Sequence, residues 1–269
     1  MGNSLFVVWR ESIEAMLVIG ILHAWLKRNN SDGQGLRALW SGVVTGLGLA
    51  LALGWAMLSV QSELTGEALE WFQSAILFVA AGLIVQMVLW MQKHGRQMKQ
   101  SLEQDISRAA ANSGSIGIAA VAALAIAREG AETVIFLYGM GLENSDSGQL
   151  AAGAALGLLL AMATAWAVNR GLRFLDYRRF FRISGFLLLL LAIALLVAGM
   201  ERLIGMGWLP TLIDPVWDTS ALLDDTSRLG AMVSAFTGYR ARPSLMLVAL
   251  YAAYWSSVLL VQRRLNRDA

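Results

Sequence analysis

Two short charged motifs interrupt segments that are otherwise apolar. They are Arg10-Glu11-Ser12-Ile13-Glu14 and Arg128-Glu129-Gly130-Ala131-Glu132. On an α-helix, residues three and four apart share a face, so each motif gathers its arginine and both glutamates on one side. A charged side chain at the centre of a bilayer costs about 2.5–3.5 kcal/mol on an insertion scale. This cost predicts that the two charged faces point away from lipid and serve a function.

If the two faces meet, they form one pocket with four carboxylates and two guanidinium groups. With all groups ionised, two negative charges are uncompensated, which favours a bound cation or protons. Carboxylate oxygens suit hard cations such as Fe³⁺, Fe²⁺, Mn²⁺, Mg²⁺ or Ca²⁺. A purely structural ion-pair network predicts balanced charge, and buried networks stabilise poorly. We therefore predict that the metal ligands are Glu11, Glu14, Glu129 and Glu132. Arg10 and Arg128 are the supporting residues, whose ion pairs orient the carboxylates.

Composition points to a membrane protein. Of the 269 residues, 57% are hydrophobic and only 15% are charged, whereas soluble domains average about 25% charged. The absence of cysteine excludes disulfides and thiolate metal sites, and two histidines cannot form an imidazole-rich site. There is also no His-Glu-x-x-His motif, which argues against an intramembrane zinc protease. We predict that the chain is not an enzyme and that it binds no permanent cofactor. The first nine residues lack a basic n-region, so the N-terminus is expected to be an uncleaved first span.

Seven apolar stretches are long enough to cross about 30 Å of hydrocarbon. They are Leu5–Leu26, Leu39–Val60, Trp71–Met91, Ile116–Gly141, Leu150–Val168, Ile183–Ile204 and Leu245–Gln262. The connections on one side carry fifteen Lys or Arg residues, and those on the other side carry only Arg202, Arg228, Arg240 and Arg242. The positive-inside rule then predicts an outside N-terminus and a cytoplasmic C-terminus, in the cytoplasmic (inner) membrane. Topology explains the basic pI near 9.1, so we expect no nucleic acid partner.

The two motifs also belong to an internal repeat. The arginines are 118 residues apart, and in the following span of each half Gly42, Gly46 and Trp55 align with Gly153, Gly157 and Trp166 at an offset of 111. Three spans separate the copies, so the halves have opposite orientations, and such repeats place a substrate site at their interface. The predicted fold is an all-α membrane protein with a 3+3 inverted repeat and a seventh helix. We expect one permease domain over 1–269: repeat one about 4–92, repeat two about 115–205, an external loop about 205–244, and the seventh helix about 245–262. The acids of the external loop suggest either a solvated loop or a cation-capture surface.

These residues resemble the oxidase-dependent high-affinity iron permease family, which is known for seven spans and two Arg-Glu-x-x-Glu motifs in the first and fourth. Gly238-Tyr239 and Pro243-Ser244, before the last span, are also similar to the family pattern. The resemblance implies oxidation-coupled uptake of iron ions, Fe²⁺ or Fe³⁺, across the cytoplasmic membrane through the four glutamates. Iron is then a substrate rather than a cofactor. Besides iron and membrane lipid, the implied partners are a separate extracytoplasmic oxidase or peroxidase and a periplasmic iron-delivery protein.

The sequence leaves other functions open. The cargo could be another metal cation, such as lead or manganese. A membrane sensor or scaffold could bind iron without moving it. A proton-coupled carrier of an organic cation is a further alternative, although a cage of four carboxylates would be needlessly charged for such a substrate.

Overall fold

Apart from its connecting segments, the part of the chain that the structure describes folds into α-helices. The computed structural model describes residues 1–29, 33–94, 97–143, 147–170 and 177–267. Two basic residues behind the topology prediction, Arg96 and Arg173, lie outside these ranges. Within them no strand is present, and the helices are α1 (Gly2–Asn29), α2 (Gln34–Glu63), α3 (Gly66–His94), α4 (Met98–Glu143), α5 (Ser147–Asn169), α6 (Tyr177–Gly205), α7 (Arg228–Thr237) and α8 (Leu245–Arg267).

Six of these helices are long and apolar enough to cross a membrane: α2, α3, α4, α5, α6 and α8. This confirms the all-α membrane fold. Helix α1 has 28 residues and is not among the six, since the motif places Arg10, Glu11 and Glu14 within its apolar stretch. The count of seven spans and the orientation of the termini stay predictions.

The helices group into two compact units, each built from several stretches of the chain. The first contains Met1–Val60, His94–Tyr138 and Asp146–Leu175, and the second contains the rest. Helices α1, α2, α5 and most of α4 therefore belong to the first unit, and α3, α6, α7 and α8 belong to the second. The proposed domain with its two repeats remains a prediction.

In the first unit, α2 packs closely against α4 through glycine. A β-carbon at Gly46 would lie 2.6 Å from the carbonyl oxygen of Ala123 and 2.9 Å from the backbone nitrogen of Ala127. A β-carbon at Gly42 would clash with the carbonyl oxygen of Ala119. The absence of side chains at these glycines brings α2 onto the backbone of α4, immediately before the second motif.

Helix α5 packs against α1 in the corresponding way. A β-carbon at Gly157 would lie 2.5 Å from the carbonyl oxygen of Leu5 and 3.0 Å from the backbone nitrogen of Trp9. Leu5 and Trp9 lie 118 residues before Ala123 and Ala127, the two residues that face Gly46. Gly157 itself lies 111 residues after Gly46. The atomic contacts therefore follow both offsets found in the sequence.

Helix α4 has a break at Gly114, between the third and fourth predicted spans. Gly114 has φ 54° and ψ −133°, a conformation that glycine tolerates and other residues rarely adopt. The break divides α4 into an amphipathic segment, residues 98–113, and the long apolar segment that carries the second motif. A β-carbon at Gly117 would clash with the carbonyl oxygen of Ala109, so the two segments approach closely beside the break.

In the second unit, α7 lies within the long segment between α6 and α8. This helix spans Arg228–Thr237. The Ser227 hydroxyl accepts a hydrogen bond from the Gly230 backbone N–H at its start. At its end Gly238 adopts a left-handed conformation with φ 68° and packs against Ala194 of α6. This close contact fixes the end of α7 against α6.

Candidate metal centre

The structure brings glutamates of both motifs together inside the first unit. One carboxylate oxygen from each of Glu11, Glu14 and Glu129 can be chosen so that the three atoms lie within 4.8 Å of one another. All three side chains are buried. Among the described residues, this is the one group of three or more acidic, histidine or cysteine side chains with a spacing suited to a metal ion.

Arg10 holds the α1 half of this group. Its Nη1 donates a 2.8 Å hydrogen bond to Oε1 of Glu11, and its Nη2 forms a 2.5 Å ion pair with Oε1 of Glu14. The Arg10 side chain is only 1% exposed. Since its guanidinium contacts both glutamates of its motif, Arg10 fixes their orientation toward α4.

Arg128 occupies a different environment, although its motif has the same spacing. Its Nε donates a 3.0 Å hydrogen bond to Oε1 of Glu132, and its side chain is 51% exposed. Glu132 is buried but is not a member of the group formed by the other three glutamates. The structure therefore gathers three of the four predicted ligands and pairs the fourth with Arg128.

Each of the four glutamates has one buried oxygen without a hydrogen-bond donor among the described residues. These atoms are Oε2 of Glu11, Oε1 of Glu14, Oε2 of Glu129 and Oε2 of Glu132. The Glu14 oxygen is the one that contacts Arg10, as an ion pair whose angles do not make a hydrogen bond. Buried acceptors of this kind are costly and uncommon in native structures. The buried oxygens of Glu11, Glu129 and Glu132 that accept no hydrogen bond match the donors that a hard cation requires.

The second unit shows how glutamate and arginine pair when charge is balanced. Arg202 forms a 3.2 Å ion pair with Glu70, and Arg240 forms 2.5 Å contacts with both carboxylate oxygens of Glu201. Arg202 also donates a 2.6 Å hydrogen bond to Gln73. Each arginine here has one glutamate, so these contacts form a neutral network. Among the residues that the structure describes, only the motif cluster of the first unit combines burial with an excess of carboxylates.

Two further contacts, which the sequence analysis does not predict, hold the motif helices in position. The indole N–H of Trp9, next to Arg10, donates a 3.2 Å hydrogen bond to Oγ1 of Thr164 on α5. In the second motif, a β-carbon at Gly130 would lie 2.5 Å from Cβ of Ala50. The glycine inside that motif was a visible signal of close helix packing, whereas nothing in the sequence pairs Trp9 with Thr164.

The acids of the predicted external loop are engaged in local contacts. Oδ1 of Asp218 accepts hydrogen bonds from the backbone N–H and hydroxyl of Ser220, and Oδ2 accepts one from Arg242. Hydrogen bonds from Ser220 hold the pKa of Asp218 below its usual range. The Thr226 backbone N–H and hydroxyl lower the pKa of Asp224 in the same way. These carboxylates stabilise turns, which agrees with the interpretation of the segment as a solvated loop.

Comparison with known proteins identifies the family. The sequence pattern of the iron permease FTR1 family matches residues 1–264. The chain belongs to this family. It is 30% identical over 250 residues to the ferrous iron permease EfeU of Yersinia pestis, covering 92% of this chain and 88% of that protein. It is 29% identical over 251 residues to EfeU of Escherichia coli O157:H7, covering 92% and 90%. No solved structure matches the chain.

Family membership confirms several predictions. The family and the similar proteins are permeases, so the chain is a transporter and not an enzyme, with iron transport as its function. Its apolar helices make it a multi-pass membrane protein, consistent with the inner membrane. The resemblance to iron permeases inferred from the two motifs is therefore confirmed.

Proposed function

We propose that this permease carries iron ions into the cell across the cytoplasmic membrane through a site formed by Glu11, Glu14, Glu129 and Glu132. The observation that carries the proposal is the set of four buried carboxylates, of which Glu11, Glu129 and Glu132 each have a buried oxygen without a hydrogen-bond donor among the described residues. Two arginines leave two negative charges uncompensated, and a divalent cation would balance them. Oxygen donors on neighbouring helices would replace the hydration shell that iron loses inside the protein.

The proposal includes a topology for the membrane-spanning helices. We infer seven spans, with α1 as the first, an outside N-terminus and a cytoplasmic C-terminus. We also infer the 3+3 inverted repeat, because Gly46 contacts α4 and Gly157 contacts α1 at positions related by the two sequence offsets. An inverted repeat would place the two motifs in equivalent positions on helices that enter the membrane from opposite sides.

A sequence of binding steps follows from the unequal state of the four glutamates. Iron first contacts Glu11, Glu14 and Glu129, whose oxygens already lie close together. Release of Glu132 from Arg128 then adds a fourth carboxylate. Arg10 stays in place and limits the net charge of the empty site.

Iron is the substrate in this proposal, and no cofactor is permanently bound. The similar proteins are named ferrous iron permeases, which favours Fe²⁺ as the ion that approaches. Oxidation during transport would require a separate extracytoplasmic oxidase or peroxidase. A periplasmic iron-delivery protein would bring the iron to it. Uptake in liposomes with and without such an oxidase would test the oxidation coupling.

The experiment that tests the site is uptake of radioactive Fe²⁺ into proteoliposomes. We expect Glu14→Gln and Glu129→Gln to abolish uptake, because each removes a ligand charge while keeping the side-chain shape. Glu63→Gln, at an exposed position near the end of α2, is the matched control and should transport normally. Normal uptake by well-folded Glu14→Gln or Glu129→Gln protein would refute the site.

Another divalent metal is the second candidate cargo, since an all-oxygen donor set does not separate Fe²⁺ from ions such as Mn²⁺ or Pb²⁺. Competition for radioactive iron uptake would rank these ions. A sensor or scaffold would instead bind iron at the same glutamates and show no flux.

A further inference from the structure

The face of α1 that carries the glutamates continues into an apolar stripe. Glu14 is followed on the same face by Val18, Leu22 and Leu26, which are buried and belong to one hydrophobic cluster. Twelve residues separate Glu14 from Leu26, so the stripe extends about 18 Å along the helix. It points toward the end of α1, which is cytoplasmic in the proposed topology.

Helix α4 contributes a matching stripe from the other motif. Moving back from Glu129 along the same face, Ala122 and Ile118 are almost completely buried and lie in the same cluster as the α1 residues. Eleven residues separate Glu129 from Ile118, about 16 Å along the axis. On this side of the site, iron would therefore meet a dry apolar plug on both helices. A hydrophobic constriction of this kind blocks ions by excluding water.

The amphipathic segment of α4, residues 98–113, covers the end of this plug. Ile106 is completely buried in the cluster, and Leu102 and Ala110, four residues before and after it, pack against the same cluster. The intervening residues are largely polar and exposed. A helix with one narrow apolar face and otherwise polar residues lies at the surface of a core and buries only that face.

The attachments of this segment would permit movement. It joins the membrane-spanning part of α4 at Gly114, whose left-handed conformation breaks the helix. Near its other end it is tied to α1 by a 3.4 Å ion pair between Arg28 and Glu103, with Arg28 66% exposed. Exposed ion pairs are weak. The segment is therefore bounded by a glycine break and a weak electrostatic contact.

An open cavity lies beside the break. It has a volume of about 410 Å³ and includes Arg37, Ser41 and Ser115 in its lining, although most of its exposed lining is apolar. Ala38 and Ala119 also line the cavity, and both belong to or pack against the hydrophobic cluster. Small side chains therefore separate the plug from this cavity.

We propose that residues 98–113 form a lid over an apolar plug, and that iron leaves the glutamate site when this lid turns about Gly114 and admits water beside Leu22 and Ile118. The inference rests on the proposed function, because it assigns the exit from the same site. It adds a moving element and a set of apolar residues that control release without contacting the ion in the closed state.

The absence of native cysteine allows a direct test. The double variant Arg28→Cys with Glu103→Cys would be joined by a short, reducible bifunctional thiol reagent. The lid predicts that cross-linked protein in proteoliposomes loses at least ten-fold in Fe²⁺ uptake, still binds Fe²⁺ in detergent, and recovers uptake after reduction. Each single-cysteine variant, treated identically, is the control. Cross-linked protein that transports as fast as reduced protein would overturn the lid.

A second pair of variants tests the plug without cross-linking. Leu22→Ser should raise Fe²⁺ flux several-fold by wetting the plug, whereas Leu124→Ser, at a 70% exposed position, should not. Equal flux in the two folded variants would contradict the plug. Failure of the glutamate site is distinguishable, because it appears as normal uptake by Glu129→Gln whatever the cross-linking result.

Discussion

The two arginines occupy equivalent motif positions, and the structure predicts that their removal has unequal consequences. The perturbation is Arg10→Gln compared with Arg128→Gln, which remove the same charge and retain a polar side chain. Arg10 is 1% exposed and contacts both Glu11 and Glu14. Arg128 is 51% exposed and forms a 3.0 Å ion pair with Glu132.

The magnitudes follow from these environments. Removing one partner from a buried ion pair costs about 3–5 kcal/mol, because the remaining charge stays buried. The Arg128–Glu132 pair has one exposed and one buried partner, and a buried acceptor left without its donor costs about 1–3 kcal/mol. At about 2–4 °C per kcal/mol, Arg10→Gln should lower the unfolding temperature by roughly 6–20 °C, and Arg128→Gln by roughly 2–12 °C.

The assay is thermal unfolding of purified protein in detergent, followed by intrinsic tryptophan fluorescence, with and without Mn²⁺ as a redox-stable divalent ion. Each variant leaves three uncompensated negative charges in the cluster, so added Mn²⁺ should stabilise both more than the wild type. At an ion concentration 100 times the dissociation constant, binding contributes about 2.7 kcal/mol. Equal destabilisation by the two substitutions, or a larger loss for Arg128→Gln, would refute the reasoning.

Three further predictions concern packing and pH. Gly46→Ala should destabilise the protein by about 1–3 kcal/mol, because its β-carbon would overlap the backbone of α4. Gly48→Ala, with nothing within 4 Å, should instead stabilise by about 0.5–1 kcal/mol; equal effects in thermal unfolding would contradict the packing. Thr164→Val removes the acceptor of an indole hydrogen bond and should cost about 1 kcal/mol, measured in the same assay. Because hydrogen bonds lower the folded-state pKa of Asp218, its turn should be stable above about pH 4, near the unfolded pKa, and weaken as pH falls through the folded value. Below pH 4, hydrogen exchange at the Ser220 amide should become faster relative to its intrinsic rate, and Asp218→Asn should not show this change. The same pH response in both proteins would contradict the prediction.

Much of the site could be predicted from the sequence because charge inside an apolar helix has few explanations. The spacing of Glu11 and Glu14 placed both on one face, and the structure brings them together with Glu129. The offsets of 118 and 111 recur in contacts between helices far apart in the chain. Gly46 and Gly157 lie against matching backbone positions, since close helix packing requires small residues at fixed places.

Other features depended on contacts that a sequence pattern does not encode. The separation of Glu132 from the other glutamates depends on which oxygen Arg128 binds, and both motifs have the same spacing. The segment 98–113 lies outside the predicted spans, although Leu102, Ile106 and Ala110 recur every fourth residue. Its charged residues masked this period, and only the burial of Ile106 shows what the apolar face covers.

The most direct test of the central claim is the location of iron in the protein. Crystals or particles loaded anaerobically with Fe²⁺ should give an anomalous or difference signal between α1 and α4, surrounded by carboxylate oxygens of Glu11, Glu14 and Glu129. The signal should disappear in Glu129→Gln. Iron bound elsewhere, or a signal that persists unchanged in this variant, would contradict the four-glutamate path.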